Sequence, residues 1–238
     1  MSTAMTTNNL PSDVTGARQV PERRGILYII SAPSGAGKTT LCKQVVASVP
    51  ELWHSVSFTT RKPRPGEEHG REYFFIDENV FHDMVARNEF LEYAHVYSNW
   101  YGTPRKPLMD KMEQGIDVLL EIDVQGALQI KKKFGDAVYI FILPPSMDIL
   151  RARLQGRGSD SQEEIVRRLQ KVKEEVWSFR EYYYIVRNDD LTQSLRELQS
   201  IFIAERLKTK RMDLQWLEQS FILEKDATSP GTEPSCTL

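Results

Sequence analysis

The sequence predicts an α/β fold in which helices flank a parallel sheet, with a small antiparallel insert and a helical lid. The first observation is a set of four short apolar runs, each long enough for a strand that is buried on both faces. The second is the succession of strand, glycine-rich loop and helix at residues 25–49, which is typical of the start of a βαβ unit. The chain has 238 residues, 40% of them hydrophobic, which suffices for one such domain with inserted subdomains. The predicted strands are residues 25–31, 116–122, 137–143 and 183–186.

The loop after the first strand is the most informative segment of the chain. Its small residues allow successive backbone N–H groups to converge on phosphate oxygens, and the following helix adds positive potential at its N-terminus. Lys38 can reach the β and γ oxygens, and Thr39 would ligate Mg²⁺. The usual pattern G-x-x-x-x-G-K-[ST] begins with Ala32 here, yet a turn without a ligand would give Lys38 no role. The segment therefore predicts binding of nucleoside triphosphate phosphates by Ala32, Pro33, Ser34, Gly35, Ala36, Gly37, Lys38, Thr39 and Thr40.

The composition changes after the first helix, which Pro50 ends. Aromatic and threonine-rich segments at residues 58–66, 73–76 and 93–103 are divided by proline and glycine. Short strands separated by such turn residues are typical of an antiparallel sheet. We therefore expect a small antiparallel insert before residue 116.

Beyond the third strand the sequence predicts two helices joined by a break. Residues 144–146 open the first helix, and Gly156-Arg157-Gly158 interrupts it. Ser161 is placed to cap the second helix, with Glu164 completing a capping box. A last helix is expected at residues 191–211, and residues 214–221 form an amphipathic fragment of the tail. One face of the second helix is apolar, at Ile165, Leu169, Val172, Val176 and Phe179.

Composition limits the classes of partner. The net charge of −2 comes from 31 basic and 33 acidic residues, so no global field attracts nucleic acid or an anionic membrane. No run of about 18 apolar residues is present, so no membrane-spanning helix is expected. The first 24 residues contain no apolar stretch of the kind that a secretory signal needs. These features favour a cytoplasmic enzyme.

The cysteines and histidines suggest no further chemistry. Cys42 lies in the first helix and Cys236 near the polar end of the chain, so a disulfide between them is not expected. Neither belongs to a C-x-x-C pair, and the four histidines form no ligand-like spacing. The sequence therefore predicts neither a disulfide nor a structural zinc site.

Two arginines in the insert are candidates for anion binding. Arg61 and Arg64 lie three residues apart on a proline-restricted backbone. Two guanidinium groups so placed suit one phosphate monoester held by forked hydrogen bonds. A solvated basic turn explains the same residues equally well, so this segment alone leaves both interpretations open.

Two carboxylates follow the second predicted strand of the core. Glu121 and Asp123 would emerge on one side, at the carboxyl end of the strand, beside the phosphate loop. Either one could orient Mg²⁺-bound water or contact the molecule that accepts a phosphoryl group. The alternative is that they are acidic residues that simply end a strand, but carboxylates after a buried run need partners.

Three further arginines flank the glycine-containing break, namely Arg153, Arg157 and Arg168. Closure of arginines around a transferring phosphoryl group excludes water and stabilises its charge. Spacing alone, however, favours surface charges or ion pairs with Glu163 and Glu164.

Taken together, seven motifs resemble guanylate kinases of the bacterial type, which are P-loop nucleoside monophosphate kinases. The motifs occur in order and without a large gap over about residues 25–212. The extensions on either side lie outside the resemblance. The motifs are residues 31–39, 59–67, 90–94, 101–103, 121–126, 156–158 and 188–190.

The resemblance implies a P-loop nucleoside monophosphate kinase fold and ATP-dependent phosphorylation of GMP, and of dGMP, with Mg²⁺. ATP and GMP would bind separately and be aligned by closure. The implied organisation is a flexible extension at 1–24, a kinase domain at 25–212 and a C-terminal extension at 213–238. Within the domain, the core would be 25–56, 108–143 and 178–212, the GMP-binding insert 57–107 and the lid 144–177.

The resemblance also assigns roles to individual residues. Arg61, Arg64 and Tyr73 would hold the GMP phosphate. Catalysis would depend on Lys38, Arg61 and the lid arginines Arg153, Arg157 and Arg168, and the segment Asn188-Asp189 would lie near adenine. Ser57, Glu92, Thr103 and Asp123 would contact guanine, whose N–H donors suit carboxylates and whose acceptors suit hydroxyls.

Two other functions fit part of the pattern. Guanylate-kinase-like scaffold modules bind peptides and usually lack a working loop, whereas Lys38, Thr39, Arg61 and Arg64 are all present here. A related kinase of sugar phosphates would not need Glu92 beside Thr103. GMP and ATP are therefore the expected partners, and the sequence leaves open whether the chain is a monomer or a homo-oligomer.

Overall fold

The computed structural model describes residues 23–96, 98–156, 162–212, 218 and 221. Residues Arg24–Arg211 form one compact unit. In chain order, its strands and α-helices are β1 (Leu27–Ser31), α1 (Lys38–Ser48), β2 (Leu52–His54), β3 (Phe58–Thr59), β4 (Phe74–Phe75), α2 (Glu78–Ala86), β5 (Phe90–Val96), β6 (Asn99–Pro104), α3 (Arg105–Glu113), β7 (Asp117–Glu121), α4 (Val124–Lys131), β8 (Val138–Leu143), α5 (Met147–Gln155), α6 (Gln162–Val176), β9 (Tyr184–Arg187) and α7 (Leu191–Arg206), with 3₁₀ turns at Trp177–Glu181 and Thr209–Arg211.

Five parallel strands form the core sheet, in the order β2-β7-β1-β8-β9. Four of them confirm the strands predicted from the sequence, with ends that differ by at most two residues. The edge strand β2 was not predicted, because its three residues are too few to show a pattern. Since β1 and β7 are neighbours, the loop after β1 lies beside the carboxyl end of β7.

Helices cover both faces of this sheet. Alternate residues of β1 point to opposite faces, so Tyr28 packs towards α7 and Ile29 towards α3 and α4. The ring of Tyr28 stacks on Phe202 of α7, with centroids 4.0 Å apart. The strands are therefore buried on both sides. This packing fixes the position of the loop that follows β1.

The insert forms a second sheet, in the order β4-β3-β6-β5. The prediction of an antiparallel sheet is right for the pairs β3–β6 and β5–β6 but wrong for β3–β4, which are parallel. Parallel neighbours need a crossover connection, and the long Pro- and Gly-containing segment 60–73 supplies it. The sheet is therefore mixed.

The region 144–177 contains the two predicted helices. Helices α5 and α6 pack through Leu150, Leu154, Ile165, Leu169 and Val172, which confirms the apolar face proposed for α6. The predicted cap Ser161 lies outside the described residues. Phe179, expected on the same helical face, instead lies in a 3₁₀ turn and packs against the core.

The last helix ends earlier than predicted, at Arg206 rather than at residue 211. Leu207 is exposed, and the backbone N–H groups of Leu207 and Lys208 donate to carbonyls three residues back. Without a further apolar position to bury, the chain tightens into 3₁₀ geometry over Thr209–Arg211. Among the described residues, none of the helices combines the length and apolar character needed to cross a membrane.

Candidate functional site

The phosphate loop connects β1 to α1, and two of its glycines adopt left-handed backbone conformations. Gly37 has φ of 92° and precedes the first residue of α1. A Cβ atom at this position would lie 2.3 Å from the side-chain nitrogen of Asn188. Gly37 is thus required both by its backbone and by the close approach of Asn188.

Lys38 and Thr39 begin α1 and face the end of β7. The Lys38 ammonium donates to the carbonyl of Ile122 at 3.2 Å and lies 3.7 Å from the Glu121 carboxylate. The Thr39 hydroxyl donates to Glu121 Oε1 at 2.5 Å. These contacts place a cation, a hydroxyl and a carboxylate together at the mouth of the loop.

Asp123 follows two residues after Glu121 and serves as the N-cap of α4. One of its carboxylate oxygens accepts the backbone N–H of Gly126 at 2.9 Å. An aspartate at this position satisfies a helix N-terminus and is itself held in one orientation. Both carboxylates that the sequence singled out therefore lie beside the loop, but only Glu121 contacts Thr39.

Glu92 of β5 is the most deeply buried carboxylate of the site, with 4% of its surface exposed. Burial raises its pKa to about 7, with Asp123 contributing in the same direction and a hydrogen bond from the Thr103 hydroxyl opposing it. That bond is 2.5 Å long. A Cβ atom at Gly126 would lie 2.6 Å from Glu92 Oε2, so the start of α4 approaches the carboxylate closely.

A single cleft joins these groups. The entire loop lines one part of it, and Glu121 and Asp123 lie between the loop and the insert. Ser57, Tyr73 and Glu92 line the part formed by the insert. Burial raises the pKa of Tyr73, and Glu121 adds to the effect, so its hydroxyl remains protonated and able to donate at neutral pH. The cleft is thus lined by the loop that the sequence predicts to bind phosphate and by hydroxyl and carboxylate side chains of the insert.

Arg61 and Arg64 lie in the loop between β3 and β4, next to Glu67. The Arg61 guanidinium pairs with the Glu67 carboxylate at 3.0 Å and lies 5.4 Å from the ring centroid of Tyr73. The Arg64 backbone N–H donates to Glu67 at 2.8 Å. Burial opposes ionisation of Glu67, but the hydrogen bonds from Arg61 and from the Arg64 backbone lower its pKa overall. Glu67 thus holds the two predicted phosphate ligands near one another.

The predicted lid arginines differ in position. Arg153 of α5 donates to the carbonyl of Ala36 at 3.4 Å and to that of Asn188 at 3.1 Å. Arg168 lies on α6, and Arg157 lies outside the described residues. Arg153 thus contacts the loop directly through the Ala36 carbonyl.

The segment Asn188-Asp189 follows β9. The Asn188 amide donates to the Ala36 carbonyl at 2.8 Å and is buried, so its side chain supports the phosphate loop from behind. Asp189 is paired with Arg187 at 2.5 Å. The sequence predicted that both would lie near adenine, and the contact of Asn188 with the loop was not anticipated.

Four residues that sequence reasoning did not select also belong to the site. Tyr101 lies two residues before Thr103 on β6 and lines the cleft, as do Lys171 and Glu175 of α6. His54, at the end of β2, lies 3.8 Å from Glu121, and burial lowers its pKa against the opposing effect of that carboxylate. Strand alternation with Thr103 was a usable signal for Tyr101. For the others, the sequence offered none, because their position depends on how the lid and the edge strand pack.

The raised pKa of Glu92 leads to a prediction about stability. Below pH 4.5 the carboxyl is neutral in both the folded and the unfolded chain. As the pH rises towards 7, the unfolded chain ionises first, so stability is lost. Replacement Glu92→Gln removes this loss. We expect the variant to be more stable than the parent by roughly 3 kcal/mol at pH 8, with the difference vanishing near pH 4.5. Urea unfolding at both values measures it, and an equal difference at the two would contradict the assignment.

The chain was compared with known proteins. Residues 24–205 match the family model described as guanylate kinase. A guanylate kinase of Geobacter sulfurreducens is 50% identical over 191 residues, which are 80% of this chain and 94% of the relative. That of Carboxydothermus hydrogenoformans is 46% identical over 202 residues, 85% and 99% of the two chains. The crystal structure of guanylate kinase from Anaplasma phagocytophilum is similar with a TM-score of 0.72 at 32% identity, and the match covers 84% of this chain and 96% of that one.

Proposed function

The chain belongs to the guanylate kinase family, and from this premise we propose that it transfers the γ-phosphoryl group of ATP to GMP, with Mg²⁺, in the cleft described above. The observation that supports the proposal most strongly is that one cleft contains both the phosphate loop and the buried Glu92. A donor and an acceptor nucleotide bound at these two places would meet near Lys38, without water between them.

The acceptor base is proposed to lie against the insert. Guanine presents N1–H and the N2 amino group as donors, which suit the carboxylates of Glu92 and Asp123. It also presents O6 and N7 as acceptors, which suit the hydroxyls of Ser57 and Thr103. Since Glu92 is buried and its pKa is about 7, contact with these donors would stabilise the ionised form.

The acceptor phosphate is proposed to bind Arg61, Arg64 and Tyr73. Glu67 pairs with the Arg61 guanidinium. A bound phosphate would therefore either share this guanidinium with Glu67 or displace Glu67 from it. A dianionic phosphate offers more charge and more acceptor oxygens than one carboxylate, which favours the exchange.

The donor phosphates are proposed to lie on the loop, with its backbone N–H groups, Lys38 and Thr40 around them. The Thr39 hydroxyl and the Glu121 carboxylate, 2.5 Å apart, are oxygen ligands of the kind that Mg²⁺ prefers, and they fit the metal directly or through water. Bound Mg²⁺ would neutralise charge on the β and γ oxygens. Asp123 is the weaker candidate for the metal because it already caps α4.

The lid is proposed to complete the charge neutralisation. Arg153, Arg157 and Arg168 would surround the transferring group when α5 and α6 approach the loop. Asn188 would act by holding the Ala36 carbonyl, and Asp189 remains the candidate near adenine.

Lys171 is a further candidate for contact with the transferred phosphate. Its ammonium lies 3.5 Å from Glu175 Oε1, and both side chains line the cleft. We expect Lys171→Ala to lower kcat about tenfold with little change in the KM for GMP, since one charge-assisted contact to phosphate would be lost. Lys171→Arg should restore most of the rate. Lys173, exposed on the same helix, provides the control, and an equal loss in Lys173→Ala would contradict a specific role.

A coupled assay of ADP formation with GMP, dGMP, AMP, CMP and UMP tests the proposed function. GMP should be used at least 10³-fold more efficiently than AMP, because unpaired buried polar groups reject the wrong base. Comparable efficiency with AMP or a pyrimidine nucleotide would overturn the assignment of the acceptor.

A further inference from the structure

A second cavity, of about 750 Å³, lies away from the catalytic cleft. It is located where the chain passes between the core and the insert. Trp53 of β2 and Val56 line it on the outgoing connection, and Pro104 and Arg105 line it on the return. None of the residues that line the catalytic cleft lines this cavity. Its volume is in the range of small-molecule sites, roughly 300 to 1,000 Å³.

We call this space the hinge cavity, because it lies where the chain passes between the core and the insert. Its walls are mainly apolar. Phe58 and Phe74 of the insert line it, with ring centroids 4.7 Å apart, together with Met84 of α2. Trp53 contributes an aromatic surface from the core. A flat apolar ring could therefore be enclosed between the two parts of the unit.

One cation in the wall has unused hydrogen-bonding capacity. Arg105 Nη2 donates to the Phe90 carbonyl at 3.4 Å, and its buried Nε has no hydrogen-bond partner. The neighbouring charges are already paired, Glu89 with Arg87 at 2.5 Å and Lys106 with Asp110 at 2.7 Å. Among the described residues, Arg105 has no carboxylate partner, and a buried donor left unsatisfied is costly. The Nε atom itself is inaccessible, but Arg105 lines the cavity, so an anionic group bound there would pair with the guanidinium.

We propose that the hinge cavity binds a small apolar monocarboxylate, with its ring between Trp53 and Phe58 and its carboxylate on Arg105. Because the walls come from both the core and the insert, any change in their relative placement changes the cavity. The ligand and GMP should therefore alter each other's binding by the same factor. This coupling rests on the proposed function, in which the insert holds GMP.

Isothermal titration with naphthalene-2-carboxylate, and with its neutral carboxamide as the matched probe, tests the site. The carboxylate should bind at one site per chain and at least tenfold more tightly than the amide. Arg105→Gln should remove that preference without changing amide binding, and Val56→Phe, which narrows the cavity, should weaken binding of both. Lys132→Gln, at an exposed residue that does not line the cavity, is the control for loss of a surface charge. Absence of binding, or binding that is equally tight in Val56→Phe, would overturn the proposal.

A second titration tests the coupling. The Kd of the carboxylate should change at least threefold when GMP is saturating, and equal values would overturn the regulatory role. Both titrations are made without ATP and without turnover. The first is also made without GMP, so it can succeed or fail independently of whether the chain phosphorylates GMP.

Discussion

Replacement of Lys38 by alanine is expected to lower kcat by about 10² to 10³-fold or more while leaving the affinity for GMP largely intact. The ammonium lies at the mouth of the loop, 3.2 Å from the Ile122 carbonyl and 3.7 Å from Glu121. In the proposed function it would reach the donor phosphates and the charge that develops on the transferring group, not the acceptor base. Loss of one preorganised donor to a transition-state oxygen typically costs a factor of this size.

Lys43 offers a matched control on the same helix. It is largely exposed and pairs with Glu72 at 3.2 Å, away from the loop. Lys43→Ala should therefore retain nearly full activity. GMP titration and steady-state rates of both variants make the comparison, and near-normal turnover of Lys38→Ala would refute the assignment of the loop.

Replacement of Glu92 by glutamine is expected to reduce kcat/KM for GMP by more than tenfold. The amide still accepts the Thr103 hydroxyl, but it cannot accept the guanine N–H groups with the strength of a carboxylate. Activity with AMP should stay low or rise slightly, because N1 of adenine is an acceptor and faces an unfavourable carboxylate in the parent protein. If Glu92 serves the function and not the stability of the protein, Glu92→Gln should lose GMP activity and at the same time gain stability at high pH.

Glu113, exposed at the end of α3, is the control for loss of one carboxylate. Glu113→Gln should leave kcat/KM unchanged for both GMP and AMP. The pH dependence gives a second check: with ATP saturating, the KM for GMP should rise below about pH 7 in the parent protein as Glu92 is protonated. Glu92→Gln should lack that component. Unchanged GMP efficiency in Glu92→Gln would mean that this residue does not contact the base.

Much of the core could be predicted from the sequence, for identifiable reasons. Buried parallel strands appear as continuous apolar runs, and four of the five were located in this way. The short edge strand β2 escaped because three residues form no pattern. The parallel pairing of β3 with β4 escaped because pairing direction depends on the path of the connecting segment 60–73, which local composition does not encode.

The candidate site was predictable where its residues adjoin one another in sequence, as in the loop and at Glu121 and Asp123. It was not predictable where remote elements converge. The contact of Asn188 with Ala36 joins residues 152 positions apart, and Glu92 is buried by the start of α4. Arg61 is paired with Glu67, so that carboxylate belongs to the surroundings of the proposed phosphate site. The family resemblance assigned a role to the arginine but not to its partner.

Titration with a bisubstrate analogue, adenosine joined to guanosine through a polyphosphate, tests most directly whether one cleft holds both nucleotides. The expected result is one site per chain, with affinity well above that of GMP or ATP alone. Both Lys38→Ala and Glu92→Gln should weaken binding, and the diadenosine analogue should bind poorly. Equal binding of the two analogues, or an affinity no greater than that of GMP alone, would contradict the placement of donor and acceptor in this cleft.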